Sequence, residues 1–171
     1  MIRLALNLNQ PEDLAQVKGT WRRAIGFVPG EANQGLTAEI EGSPARLADY
    51  DDSGWDVCEN VGEVVSTGVC FAWWRVTVEI PAEVDGVPTN GVSVYFETTI
   101  DDYGEIWVNG EIDLPSGAFQ GFNIPQRILL TRDAVPGAKY VIACLGANGP
   151  MAKPFGGVFM RYATLGFEKY R

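Results

Sequence analysis

Along FAWWRVTVEIP (residues 71–81), Val76, Val78 and Ile80 alternate with Arg75, Thr77 and Glu79. That period of two puts apolar side chains on one face of an extended strand and polar ones on the other. The same alternation runs through GVSVYFETTI (91–100), where Val92, Val94 and Phe96 are set against Ser93, Tyr95 and Glu97. Pro81 closes the first run, since proline cannot donate to a sheet ladder. The 20 glycines and 10 prolines are spread along the chain and cut it into short segments, the rhythm of an all-β sandwich or barrel.

Other segments fit the same plan. Asn109-Gly110 stands between GEIWV and EIDL and predicts a hairpin, because a type I′ turn needs positive φ at both central residues. QRILLTRD (126–133) reads as a strand or short turn, AVPG as a turn and AKYVIACLG (138–146) as a buried strand. The closing GGVFMRYATLGFEKY is rich in β-branched and aromatic residues, as strands are. Residues 1–45 form an irregular segment packed on the sandwich, with a helical turn expected in PEDLAQVKGTWRR and a further strand in GLTAEIEG (35–42). No repeat or boundary divides the chain, so the expectation is one domain over residues 1–171, with little helix.

Several function classes drop out on composition. The net charge of -9 opposes electrostatic binding to nucleic acid or an anionic membrane. With no histidine in the chain, a Ser-His-Asp triad, a Cys-His pair and an imidazole metal ligand are all excluded. Cys58, Cys70 and Cys144 are odd in number and lack CxxC spacing; they predict free thiols, at least one of them in the core, rather than a disulfide framework or zinc cluster. The N-terminus lacks an apolar run of signal-peptide length and no later stretch is long enough to span a bilayer, so the expected location is cytoplasmic.

Several motifs, taken in order, carry a resemblance. DDSGW (51–55), FAWWRVTVEIP, IDDYGEIWVNGEI, FQGFNIPQRILLTRDAVPGAKYVIACLGANGP and GGVFMRYATLGFE resemble successive segments of the galactose-binding-like jelly roll, the accessory β-sandwich of family-2 glycoside hydrolases. The likeness covers about residues 45 to 170. A closer one, in the DDY-E-WV-G and Gly-Pro features, is to the sandwich module that accompanies some gluconolactonase-like proteins. The resemblance implies a jelly-roll fold and leaves activity to be argued from the site.

Asp101 and Asp102 lead the candidate site residues, beside Tyr103 at a strand entrance. Carboxylates there can accept from sugar hydroxyls or, with separated pKa values, act as acid and base. The structural alternative is loop capping, and strand geometry points neighbouring side chains to opposite faces. Trp73, Trp74, Tyr103 and Trp107 supply rings that can stack on a pyranose; alternation sends Trp74 inward and leaves Trp73 on the face of Arg75. Arg75 and Arg161 suit bidentate oxygen recognition, with an ion pair to a strand glutamate such as Glu79 or Glu105 as the alternative. Asn123 and Asn148 lie in expected loops and can both donate and accept, whereas Asn109 is explained by its turn. The Gly- and Pro-rich GANGPMAKPFGG (146–157) reads as a binding loop or a connection between sheets. Asp51 and Asp52 lack the spacing of a calcium loop, and no metal or cofactor is expected.

Together these residues point to a module binding a small sugar or polyhydroxylated molecule through Trp73, Arg75, Asp101, Asp102, Tyr103, Asn123, Asn148 and Arg161. The rival is a small cyclase, isomerase or lyase on the same scaffold, with Asp101, Asp102 or Tyr103 as its acid or base. A partner enzyme or a second copy of the chain is the expected macromolecular company.

Overall fold

A computed structural model describes residues 2–25, 42–68, 70–149, 153 and 155–169. In chain order its elements are β1 (Ile2–Asn7), α1 (Pro11–Gln16), β2 (Arg22–Ile25), a 3-10 turn (Pro44–Arg46), β3 (Asp56–Val57), β4 (Cys70–Glu79), β5 (Glu83–Val84), β6 (Val87–Pro88), β7 (Ser93–Asp101), β8 (Tyr103–Val108), α2 (Leu114–Gly117), β9 (Ala118–Gln120), β10 (Gln126–Thr131), β11 (Lys139–Asn148) and β12 (Phe159–Lys169). They build an all-β sandwich: a four-stranded sheet in the order β1-β12-β7-β10 faces a six-stranded sheet in the order β3-β2-β4-β11-β8-β9. Every pairing between these strands is antiparallel.

Alternation decides what faces inward. Trp74, Val76, Val78 and Ile80 on one sheet and Val94, Phe96 and Ile100 on the other are fully or almost fully buried in one core, whose apolar contact is the main stabilising term. Gly104 and Gly146 are paired across β8 and β11 on this inner face. A Cβ on Gly104 would lie 2.4 Å from the Phe119 ring, and one on Gly146 2.8 Å from Trp74 and 2.9 Å from Ile100. The pair of glycines makes room for aromatic rings between the sheets. Cys58, Cys70 and Cys144 are all buried free thiols.

Three expectations need adjustment. The irregular N-terminal segment contributes two real strands, β1 on the edge of one sheet and β2 within the other; Ile2, Leu4 and Leu6 alternate with Arg3, Ala5 and Asn7 along β1, whereas the four residues of β2 are too few to show a period. Asn109-Gly110 does make its turn, with φ of 51° and 83°, but EIDL forms only one bridge, Val108 to Glu111, because the chain turns into α2 with Pro115 in its first turn. In the expected loop 146–157, residues 146–148 instead finish β11. The strand expected in GLTAEIEG lies outside the described residues except for Gly42.

The outer face of the four-stranded sheet is closed by charge. Arg3 and Arg127 both reach Glu97 (2.5 and 2.9 Å) and Glu168 (3.6 and 2.6 Å), and the Arg127 guanidinium lies 3.6 Å from the Tyr95 ring centroid. With each charge answered by its neighbours, this surface offers little to a ligand.

Candidate functional site

One rim of the sandwich gathers the end of β7, the start of β8, the end of β11 and the start of β12. Asp101 is opposite Phe159, and Tyr103 is opposite Ala147. Between them, the Asp102 N–H donates to the Ala147 carbonyl (3.0 Å), and the Asp102 carbonyl accepts from the Gly121 N–H (2.6 Å). That second bond moors the 121–124 loop to the rim. The Asp101–Asp102 peptide is cis.

The two carboxyls converge instead of pointing to opposite faces. Asp101 is 7% exposed, and its Oδ1 has no hydrogen-bond partner among the described residues. Burial raises its pKa above the ordinary carboxylate value, the Asp102 charge and a hydrogen bond between the two side chains raise it further, and Arg161 pulls it partly back. An unpaired buried acceptor is costly, and taking up a proton to hydrogen-bond Asp102 relieves that cost. Asp102 is the outer member: it is half-buried and its Oδ2 accepts from the Gly149 N–H (3.2 Å).

Around this pair are groups that face solvent. Arg161 is exposed, with its guanidinium carbon 5.5 Å from the Phe122 ring and 5.0 Å from the Phe159 ring. No carboxylate pairs with it among the described residues. Phe122 is 70% exposed and Phe155 63%. Asn123, next to Phe122, is exposed in a left-handed conformation with φ of 56°. Neither phenylalanine stands out in the sequence: FQGFN and KPFGG contain rings among glycines, and only the fold shows that these rings are left uncovered at the rim.

Other expected ligand residues turn inward. Trp73 is 2% exposed and lies in a small cluster with Ala45, Ala143, Tyr50, Trp55, Trp107 and Leu145, because residues 42–55 fold back over the outer face of the six-stranded sheet. It is not an available platform. Arg75 is the anchor of that cover. Its Nε donates to Asp52 (2.9 Å) and its terminal nitrogens donate to the carbonyls of Ala45, Leu47 (3.0 Å) and Tyr50 (3.3 Å). The ion pair expected with Glu79 or Glu105 is made with Asp52 instead.

Asn148 is also structural. Its Nδ2 donates to the carbonyls of Gly68 (2.6 Å) and Phe155 (2.9 Å), so it positions the loop that carries Phe155 and leaves no N–H for a ligand. The Tyr103 hydroxyl donates to Glu105 (2.7 Å), as does the Trp107 indole (2.9 Å). Burial, then Glu105, pushes the Tyr103 phenol up to about 12, which suits a fixed donor and not a base near neutrality. Asn109 accepts from the Val141 N–H (2.8 Å), a purely structural contact. The Asp51 carboxylate accepts from the Ser53 N–H (3.0 Å), and Asp52 is occupied by Arg75.

No family model and no curated protein matches the chain. Solved structures do match its fold. A β-glucuronidase of Bacteroides uniformis superposes with a TM-score of 0.63 at 15% identity, over 97% of this chain and 18% of its own. A glycosyl hydrolase family 2 member from Bacteroides cellulosilyticus gives 0.57 at 16% identity, over 95% of this chain and 20% of its own. A putative β-galactosidase from Bacteroides fragilis gives 0.50 at 14%, over 98% and 23%. The chain therefore has the all-β sandwich fold of a domain in glycoside hydrolases of family 2, and it spans about a fifth of the length of those proteins.

Proposed function

We propose that the rim around Asp102 binds a small sugar or related polyhydroxylated molecule. The observation that supports this reading is the meeting, at one end of the sandwich, of a half-exposed carboxylate, a guanidinium with no carboxylate partner among the described residues, and exposed phenyl rings. Asp102 accepts from hydroxyls, Arg161 donates to hydroxyl or ring oxygens, and Phe122 or Phe155 covers an apolar C–H face of the ring. The fold neighbours, named as β-glucuronidase and putative β-galactosidase, make a sugar the natural first ligand class. Asp101 stands behind Asp102, buried, with its pKa raised by that burial and by the neighbouring Asp102 charge.

Thermal denaturation in the presence of monosaccharides and aldonolactones tests the reading. A ligand that binds the native state raises its stability by mass action, about 2.7 kcal/mol at a hundred times Kd. The expected result is a rise in Tm with at least one sugar, lost in Asp102→Ala. A flat response across the panel, or a rise that survives in Asp102→Ala, would sink it.

A second reading rests on the carboxyl pair itself. A buried carboxyl whose pKa is raised by burial, beside a second and more open carboxyl, is an arrangement from which acid–base pairs are built, suited to an isomerase, cyclase or lyase. Conversion of a bound sugar followed by NMR, present in the wild type and absent in Asp101→Asn, would favour it.

A further inference from the structure

We propose that the ligand at this rim is a polyhydroxy acid, with its carboxylate on Arg161 and a neighbouring hydroxyl on Asp102. The inference rests on the sugar-binding reading above and names the class of sugar. Its starting point is a difference among the arginines. Arg3, Arg23, Arg75 and Arg127 each hold a carboxylate within 3.0 Å, whereas Arg161, like Arg22, Arg46 and Arg132, holds none among the described residues; Arg22 and Arg46 donate to backbone carbonyls instead, and Arg161 is the one on the strand that pairs with Asp101.

Arg161 is nonetheless placed. Its guanidinium carbon lies 5.5 Å from the Phe122 ring and 5.0 Å from the Phe159 ring, within reach of a cation–π attraction that does not require its N–H groups as hydrogen-bond donors. Those donors form the fork that matches a carboxylate in two parallel hydrogen bonds. A neutral sugar would use one or two of them singly; an anionic one uses the fork and the charge.

The acidic side of the rim supplies the complement. Asp101 pairs across the strands with Phe159, two residues before Arg161, so the carboxyl pair and the guanidinium share one end of the sandwich. Asp101 is 7% exposed with an unpaired oxygen, whereas Asp102 keeps one oxygen without a hydrogen bond among the described residues. An acid with hydroxyls beside its carboxylate meets a cation at one end and an acceptor at the other. An ammonium sugar would meet Asp102 favourably but be repelled by Arg161.

Isothermal titration calorimetry of the full chain with sodium gluconate, glucose and glucosamine, against matched sodium chloride, distinguishes these cases. The expected result is gluconate binding roughly tenfold or more tighter than glucose, the size of one charge-assisted fork. Arg161→Gln, whose amide keeps an N–H donor for a hydroxyl but loses the charge and the fork, should weaken gluconate roughly fivefold or more beyond whatever it costs glucose. Arg161→Lys, which keeps the charge and loses the fork, should fall between. Arg161 is exposed, and an unchanged melting curve for each variant shows that the fold is intact.

Glucose or glucosamine binding as tightly as gluconate, or an equal loss of all three in Arg161→Gln, overturns the acid preference and leaves the sugar reading standing. Silence toward all three probes overturns both.

Discussion

Asp51-Asp52-Ser53-Gly54 and Asp101-Asp102-Tyr103-Gly104 share the pattern of two aspartates, one residue and a glycine, yet their carboxylates meet different surroundings. In the first pair Asp51 accepts from the Ser53 N–H and Asp52 holds Arg75, so each charge has a partner and together they fasten the 42–55 segment. In the second, Asp101 is buried with an oxygen that nothing among the described residues satisfies, and Asp102 is half open at a rim. Evolution tolerates an unsatisfied buried carboxyl where something other than folding needs it, which is why such groups mark functional sites. The difference separates a pair whose carboxylates are engaged in holding the fold from a pair with an oxygen left unpaired among the described residues.

The largest effect expected from breaking this contrast is on the structural side. Arg75→Met removes the buried cation and leaves Asp52 and the carbonyls of Ala45, Leu47 and Tyr50 without their donor. Loss of one partner from such a set costs roughly 2–4 kcal/mol, read as a fall in the urea midpoint at unchanged m-value. Arg161→Met, at the other pair, should stay within about 0.5 kcal/mol, as an exposed substitution does. Equal losses at the two sites would dissolve the distinction.

The two arginines also show what the amino-acid order made legible. Alternation located β4, β7 and β11 and sent Trp74 inward, because a period of two is a local property of a strand with one buried face. It could not distinguish Trp73 and Arg75 from surface residues. Their face is polar by pattern, and it is buried by residues 42–55, a contact across some 25 positions of chain that no local rule encodes. The rim was legible in part. Asp101, Asp102 and Arg161 stood out by their charge, while Phe122 and Phe155 gave no signal, because nothing local to FQGFN or KPFGG tells an uncovered ring from a buried one.

A smaller effect of opposite sign is expected at Asp101. Its folded pKa is raised, by burial first and Asp102 next, above the ordinary unfolded value of about 3.9. Between those two values the native state binds more protons than the unfolded one, so the group's contribution falls as pH rises through that window and stays unfavourable above it. Below the unfolded value it contributes nothing. Asp101→Asn removes the titration while keeping the shape and providing a donor toward Asp102. The variant should therefore unfold at higher temperature than the wild type near pH 7, with the gap closing by about pH 3. A variant less stable than wild type at neutral pH would mean that the ionised carboxylate has a partner in the folded state, and the second pair would then resemble the first.

The smallest effect is expected at Asp51, where the contrast is sharpest. Asp51 is exposed, and hydrogen bonding from Ser53, its backbone N–H first, lowers its pKa. Asparagine makes the same turn through its side-chain carbonyl. Asp51→Asn should leave the melting temperature at pH 7 unchanged within error and leave any sugar response intact. Asp101→Asn, by comparison, changes one carboxyl to an amide in the same Asp-Asp-x-Gly pattern and should move both. If the two variants behaved alike, burial of an unpaired oxygen would not be what separates the pairs, and the claim of the rim to a ligand would rest on Arg161 and its two rings alone.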